Sequence, residues 1–164
     1  MTSVYLAGPD VFRPDAIPYG ESLKAACRRF GLEGLYPLDN AVPLGLSKPQ
    51  AAAWICQANL ALIRRADIVM ANLNPFRGAE PDSGTVFEVG YAAALGKPVW
   101  GYLEDARAIV DRVTHRVNPD GRLVDEQGLQ VEDFGLPLNL MLACSIRVVP
   151  GGPDACLAEI SGAN

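Results

Sequence analysis

Five short runs of strand character, separated by segments with helical spacing, constrain the fold of this chain more than any other feature. The runs are Val4–Ala7, Leu32–Leu38, Ile68–Leu73, Val99–Leu103 and Ile146–Val149. Val4–Ala7 is apolar throughout and stops at Gly8-Pro9, as a buried strand would. Between the runs, Tyr19–Phe30 places Leu23, Ala26, Cys27 and Phe30 at helical spacing and ends at Gly31. Pro49–Arg65 predicts a long amphipathic helix, with Pro in its first turn and Arg64-Arg65 at the negative end of its dipole. Thr85–Leu95 predicts a third helix, closed by Gly96 with Pro98 beyond, and a short terminal helix starts at Pro153. Strands alternating with helices predict an α/β fold, a doubly wound five-stranded parallel sheet with right-handed crossovers. The expected strand order is 2-1-3-4-5, with ligands at the carboxyl ends of the strands.

The stretch 111–137 breaks the alternation. It is polar, and Asn118-Pro119-Asp120-Gly121 is a strong turn signal. It reads as a hairpin or lid-like insertion within a single domain spanning 1–164.

Composition limits what such a domain binds. The net charge is −5 and no basic cluster is present, which argues against a nucleic-acid polymer or an anionic membrane as partner. No apolar run reaches the ~18 residues of a spanning helix, and no secretory leader is apparent at Met1, so a soluble, cytoplasmic protein is expected. Cys27, Cys56, Cys144 and Cys156 form no CxxC motif and are expected to be buried free thiols. A single histidine, His115, leaves little scope for histidine-based metal or triad chemistry.

The loops after the first four strands should converge on one crevice holding Asp10, Asp39, Asp82 and Glu88. Carboxylates without His or Cys suit chemistry on a sugar, where an oxocarbenium-like state develops positive charge. Magnesium binding is the rival use. Thr85-Val86-Phe87-Glu88 fits a capping box, which would give Glu88 a purely structural role. At a helix start Glu88 would in either case be ionised. Asp82 before Ser83-Gly84 suits a local cap, Tyr5 suits the core with a hydroxyl in need of a partner, and Asn59 suits a solvated helix face. Gly78 and Gly84 belong to no phosphate-loop motif.

Several segments carry a resemblance: Tyr5-Leu6-Ala7-Gly8-Pro9, Pro37-Leu38-Asp39-Asn40, the long run from Asn74-Pro75-Phe76-Arg77-Gly78 through Asp82 and Glu88 to Ala92, and Pro137-Leu138-Asn139-Leu140-Met141. Together they resemble the nucleoside 2-deoxyribosyltransferases. The resemblance implies a flavodoxin-like, Rossmann-like fold and a double displacement that needs no cofactor and no metal. Glu88 would match the family nucleophile, Tyr5 the tyrosine that orients it, and Asp82 the aspartate of the sugar and acid–base site. Asn59 would match a position, aspartate in some members, that faces the leaving base, and Asn139 an asparagine donated across a subunit interface. Phe12 would stack on the base, with Gly8, Asp39 and Asn40 among the substrate-binding positions. Expected partners are deoxynucleosides, free nucleobases and further copies of the chain in a homo-oligomer with shared sites. Some members end in a tyrosine whose carboxylate enters the site, whereas this chain ends Ser161-Gly162-Ala163-Asn164. Two other readings are a hydrolase of nucleosides or nucleoside 5′-monophosphates and a non-catalytic nucleotide-sensing domain.

Overall fold

The computed structural model describes residues 1–163, so the terminal Asn164 of the comparison above lies outside the described residues. Strands β1 (Ser3–Ala7), β2 (Glu33–Leu35), β3 (Ile68–Asn72) and β4 (Val99–Leu103) alternate with helices α1 (Ala16–Arg29), α2 (Lys48–Arg65) and α3 (Ser83–Ala94). A two-stranded antiparallel ribbon, β5 (Arg116–Val117) and β6 (Leu123–Val124), comes next, then the single-turn α4 (Leu140–Ala143), β7 (Arg147–Pro150) and α5 (Pro153–Gly162). The five-stranded sheet is parallel in the order β2-β1-β3-β4-β7, the 2-1-3-4-5 order expected from the alternation.

Strand register decides which side chains share a face. Val4 pairs with Ile68 and Tyr5 with Val69, so the side-chain alternation of each strand sorts its residues between two cores. Val4, Leu6, Met70 and Tyr102 pack with Leu23 and Cys27 of α1 and Leu157 of α5. Tyr5, Val69, Leu73 and Leu103 pack with Ile63 of α2 and Val89 of α3. Every residue of β3 and β4 is buried, as expected of a parallel sheet covered on both sides.

Several boundaries differ from expectation for identifiable reasons. β2 stops at Leu35, not Leu38, because the chain turns at once into a 3-10 helix, Pro37–Asp39, capped by the Asp39 carboxylate on the Tyr36 amide. Proline at the head of that turn has no N–H to offer a ladder. α1 starts at Ala16, with Pro18 inside its first turn, where a missing N–H costs nothing. α2 is capped by a reciprocal Ser47–Gln50 box that precedes the expected start. It buries fully only Leu62 and Ile63, so its deepest packing lies at its C-terminal end, while Leu60 rests on the core and Asn59 reaches α3.

Within the stretch 111–137, β5 and β6 form an antiparallel hairpin. The Asn118 side chain accepts the amides of Asp120 and Arg122, and Gly121 takes the positive φ of 79° that the turn requires. Of the thiols, Cys27 and Cys156 are buried, but Cys56 and Cys144 are exposed, contrary to expectation. Cys56 lies on the outer part of α2 and Cys144 at the open end of α4, where helix faces meet solvent. Among the described residues no helix is long and apolar enough to cross a membrane.

Candidate active site

Tyr5, Asn59, Asp82 and Glu88 come together on the α2/α3 side of the sheet. Tyr5 is the central residue of β1 and fully buried, and its ring crosses the core towards α3. Its hydroxyl donates to Glu88 Oε1 at 2.6 Å. Asn59 Nδ2 reaches the same oxygen from α2 at 3.5 Å. Both donors take one carboxylate oxygen, and Oε2 makes no hydrogen bond among the described residues. Asn59 Oδ1 is buried without a partner.

This arrangement replaces the capping box expected for Glu88. The N-cap of α3 is Asp82, whose carboxylate accepts the Thr85 amide and the Thr85 hydroxyl, each at 2.9 Å. The helix therefore starts two residues before Thr85 and Glu88 falls in its second turn, facing the core of the sheet. Asp82 keeps the local capping role read from its sequence context and also stands close enough to Glu88 for the two charges to repel.

Glu88 is not a fully ionised helix-start carboxylate. Burial pushes its carboxyl up to about 7, and the Asp82 charge adds to this, while the Tyr5 and Asn59 hydrogen bonds oppose it. The dipole of α3 acts mainly within the first turn and gives Glu88 little help. Burial and the neighbouring carboxylate raise the Tyr5 hydroxyl far above its ordinary range, so it remains a donor.

The crevice does not collect four carboxylates. Asp39 is tied to the Tyr36 amide and to Lys24 Nζ at 2.6 Å, and half-buried Asn40 ends the same turn. Asp10 turns to the α1 side, where it accepts Asn72 Nδ2 at 3.0 Å and is only 7% exposed. Gly8 has a packing reason for its identity, since a Cβ there would stand 2.8 Å from Asp10 Oδ2 and 2.9 Å from Asn72 Cβ. Among the described residues no group of three or more His, Cys, Asp or Glu side chains is placed to hold a metal ion. Asn139 does not reach Glu88 within the protomer. It caps α4 by accepting the Met141 amide at 3.0 Å, and its Nδ2 donates to Glu132 at 2.6 Å. Leu138 and Leu142 of the neighbouring apolar run are core, whereas Met141 is 69% exposed.

Sequence reasoning singled out Phe12 but missed its partners. Phe12, 59% exposed, lies against Phe76 with ring centroids 5.4 Å apart and planes 16° apart. The Arg77 guanidinium sits over both rings, 4.6 Å from Phe76 and 5.5 Å from Phe12. Arg77 has φ 54°, the one left-handed non-glycine residue among those described. That conformation costs on the order of 1–2 kcal/mol in a residue with a Cβ. The available signal was an aromatic and a cation side by side in a Pro- and Gly-bounded loop.

The family model described as Nucleoside 2-deoxyribosyltransferase matches residues 4–141. An uncharacterised protein of Schizosaccharomyces pombe is 34% identical over 90% of this chain and 78% of its own length. The solved 2-desoxiribosyltransferase of Leishmania mexicana is 37% identical, with 99% of this chain and 98% of that one covered at a TM-score of 0.80. A 2-deoxyribosyltransferase from Bacillus psychrosaccharolyticus shares the fold at 18% identity and a TM-score of 0.62, covering 98% of this chain and 90% of that one. With Tyr5, Asp82 and Glu88 inside the matched span, the chain belongs to the nucleoside 2-deoxyribosyltransferase family.

Proposed function

We propose that this protein transfers a 2-deoxyribosyl group between nucleobases through a covalent ester on Glu88, with net retention at C1′. The observation that carries the reading is the Tyr5–Glu88 hydrogen bond of 2.6 Å, which holds Oε1 and leaves Oε2 free. Oε2 attacks C1′ as the C1′–N bond breaks, and the bonding pair leaves with the base, which takes up a proton. A second base then attacks C1′ through its ring nitrogen, displaces the glutamate and releases a proton. Two inversions restore the starting configuration.

The other residues take supporting roles in this reading. Tyr5 donates to the carboxylate and fixes its rotamer. The second oxygen of Asp82 accepts a sugar hydroxyl. The unpartnered Asn59 Oδ1 accepts an N–H of the base and relieves an otherwise unsatisfied buried acceptor. Phe12 offers its exposed ring to the base. Asn139 acts in a neighbouring subunit, so the active species is a homo-oligomer, and light scattering at assay concentration should show more than one chain per particle.

The deciding experiment is incubation with deoxyinosine and adenine followed by product analysis. Deoxyadenosine is the expected product. Release of hypoxanthine and free sugar alone would make the protein a hydrolase instead.

A further inference from the structure

We propose that Arg77 is a specificity-determining residue of the base site and donates to the acceptor edge of a 6-oxopurine such as hypoxanthine or guanine. The inference rests on the transferase reading above, since it takes the crevice to hold a nucleobase.

The wall on which Arg77 lies is built before any ligand arrives. Asp10, two residues before Phe12, accepts Asn72 Nδ2 at 3.0 Å. Asn72 Oδ1 in turn accepts the Asn74 side-chain amide at 2.8 Å and its backbone N–H at 3.2 Å. Asn74, two residues before Phe76, accepts the Glu104 amide at 2.9 Å. This relay joins the ends of β1, β3 and β4 and sets Phe12 against Phe76. A preordered flat apolar wall lowers the entropy lost when a flat ligand stacks on it.

Arg77 is held over that wall by backbone geometry and by the rings beneath it, with no carboxylate to pair it. The Phe76 amide donates to Glu80 O at 2.9 Å and closes a tight loop, with Arg77 in the left-handed conformation at its tip and Gly78 after it. Its guanidinium is in no ion pair and no side-chain hydrogen bond among the described residues. Arg13, by contrast, is neutralised by Asp15 at 2.9 Å. The guanidinium lies nearer Phe76 than Phe12, and in this proposal a base stacked on the exposed Phe12 ring meets it edge to edge. The rigid fork of N–H donors then faces the base edge. Hypoxanthine and guanine present two acceptors there, O6 and N7, to which arginine donates bidentately. Adenine presents N7 beside an amino donor, and one N–H of the fork would face another donor.

Calorimetry of free hypoxanthine and free adenine, alongside kcat/KM for deoxyinosine and deoxyadenosine, tests this on the parent, Arg77→Gly and Arg77→Lys. Glycine suits the positive φ, so the melting temperature should equal or exceed that of the parent. Lysine keeps the charge and loses the fork. Both variants should weaken hypoxanthine binding and deoxyinosine turnover about tenfold or more, with adenine and deoxyadenosine within about twofold. Equal losses for both bases would reduce Arg77 to loop support and overturn the proposal. A loss confined to nucleoside 5′-monophosphates would overturn it in favour of a phosphate contact. A parent that neither exchanges nor hydrolyses deoxynucleosides would overturn the transferase reading, while the hypoxanthine–adenine difference in calorimetry would still uphold the role of Arg77. Exchange activity with no such difference would overturn this proposal alone.

Discussion

Glu88 and Asp10 are two carboxylates near the same end of one sheet, on opposite sides of it, and burial is the main force raising both. They differ in how their oxygens are used. Asp10 is only 7% exposed, lies among the α1-side tyrosines and serves an amide relay between loops. Burial, with the Asp10 charge second, pushes the Tyr36 hydroxyl up to about 12. Glu88 is part-buried, spends one oxygen on Tyr5 and Asn59, and keeps the other without a hydrogen bond among the described residues. A buried carboxylate becomes a reagent when its environment orients it without using all its lone pairs. Burial alone makes a strut.

The largest expected effect is at Glu88. Glu88→Gln should lower base exchange by a factor on the order of 10⁴ or more, because an amide cannot form the glycosyl ester. Stability should move the other way. The folded carboxyl at about 7 binds its proton more tightly than the unfolded one at 4.5, so its ionisation destabilises the fold as pH rises between those values. Denaturant titrations should find the glutamine variant more stable above neutrality by up to about 3 kcal/mol, with the gain gone near pH 4. Full exchange activity in this variant would end the distinction drawn between the two carboxylates.

Asp82 comes next and separates charge from capping. Asp82→Asn keeps a cap on Thr85 and removes the charge, so activity should fall with little change in melting temperature. Asp82→Ala should lose the same activity and about 1 kcal/mol of stability besides.

Tyr5→Phe should cost about ten- to a hundredfold in kcat/KM, the worth of a hydrogen bond to a charged group. The parent's kcat/KM should rise with pH and level off above about 7, since the nucleophile acts ionised. The Tyr5 hydroxyl lowers the Glu88 pKa, so in Tyr5→Phe this acid limb should move to higher pH. An unmoved limb would mean that another group titrates.

The smallest effect is expected at Asp10. Asp10→Asn keeps an oxygen for Asn72 and should leave kcat within about threefold, with equal or higher stability at neutral pH because a buried charge is removed. A loss of kcat as deep as that of Glu88→Gln would place Asp10 in the chemistry and break the comparison.

Much of this architecture was legible in local pattern. Period, turn residues and the Gly96–Pro98 stop signal were enough to predict the alternation and the parallel sheet, because strand burial and helix ends are short-range properties, whereas the strand order was an expectation borrowed from doubly wound folds in general. The resemblance pointed to Tyr5, Asp82 and Glu88, and these three do meet, with Asn59 beside them. Local pattern misread Glu88 as a cap because Thr85 and Asp82 are both acceptable N-caps three residues apart, and only the packed helix start chooses between them.

What the sequence by itself determined is the list of elements and the carboxylate-bearing helix. What only the tertiary structure decided is which carboxylate is left with a free oxygen. That choice depends on partners 83 residues apart for Tyr5 and Glu88 and 62 apart for Asp10 and Asn72. Packing of α3 on β1 brings Glu88 to Tyr5, the pairing of β1 with β3 brings the turn after β1 to Asn72, and the burial that comes with this packing sets the protonation of Glu88.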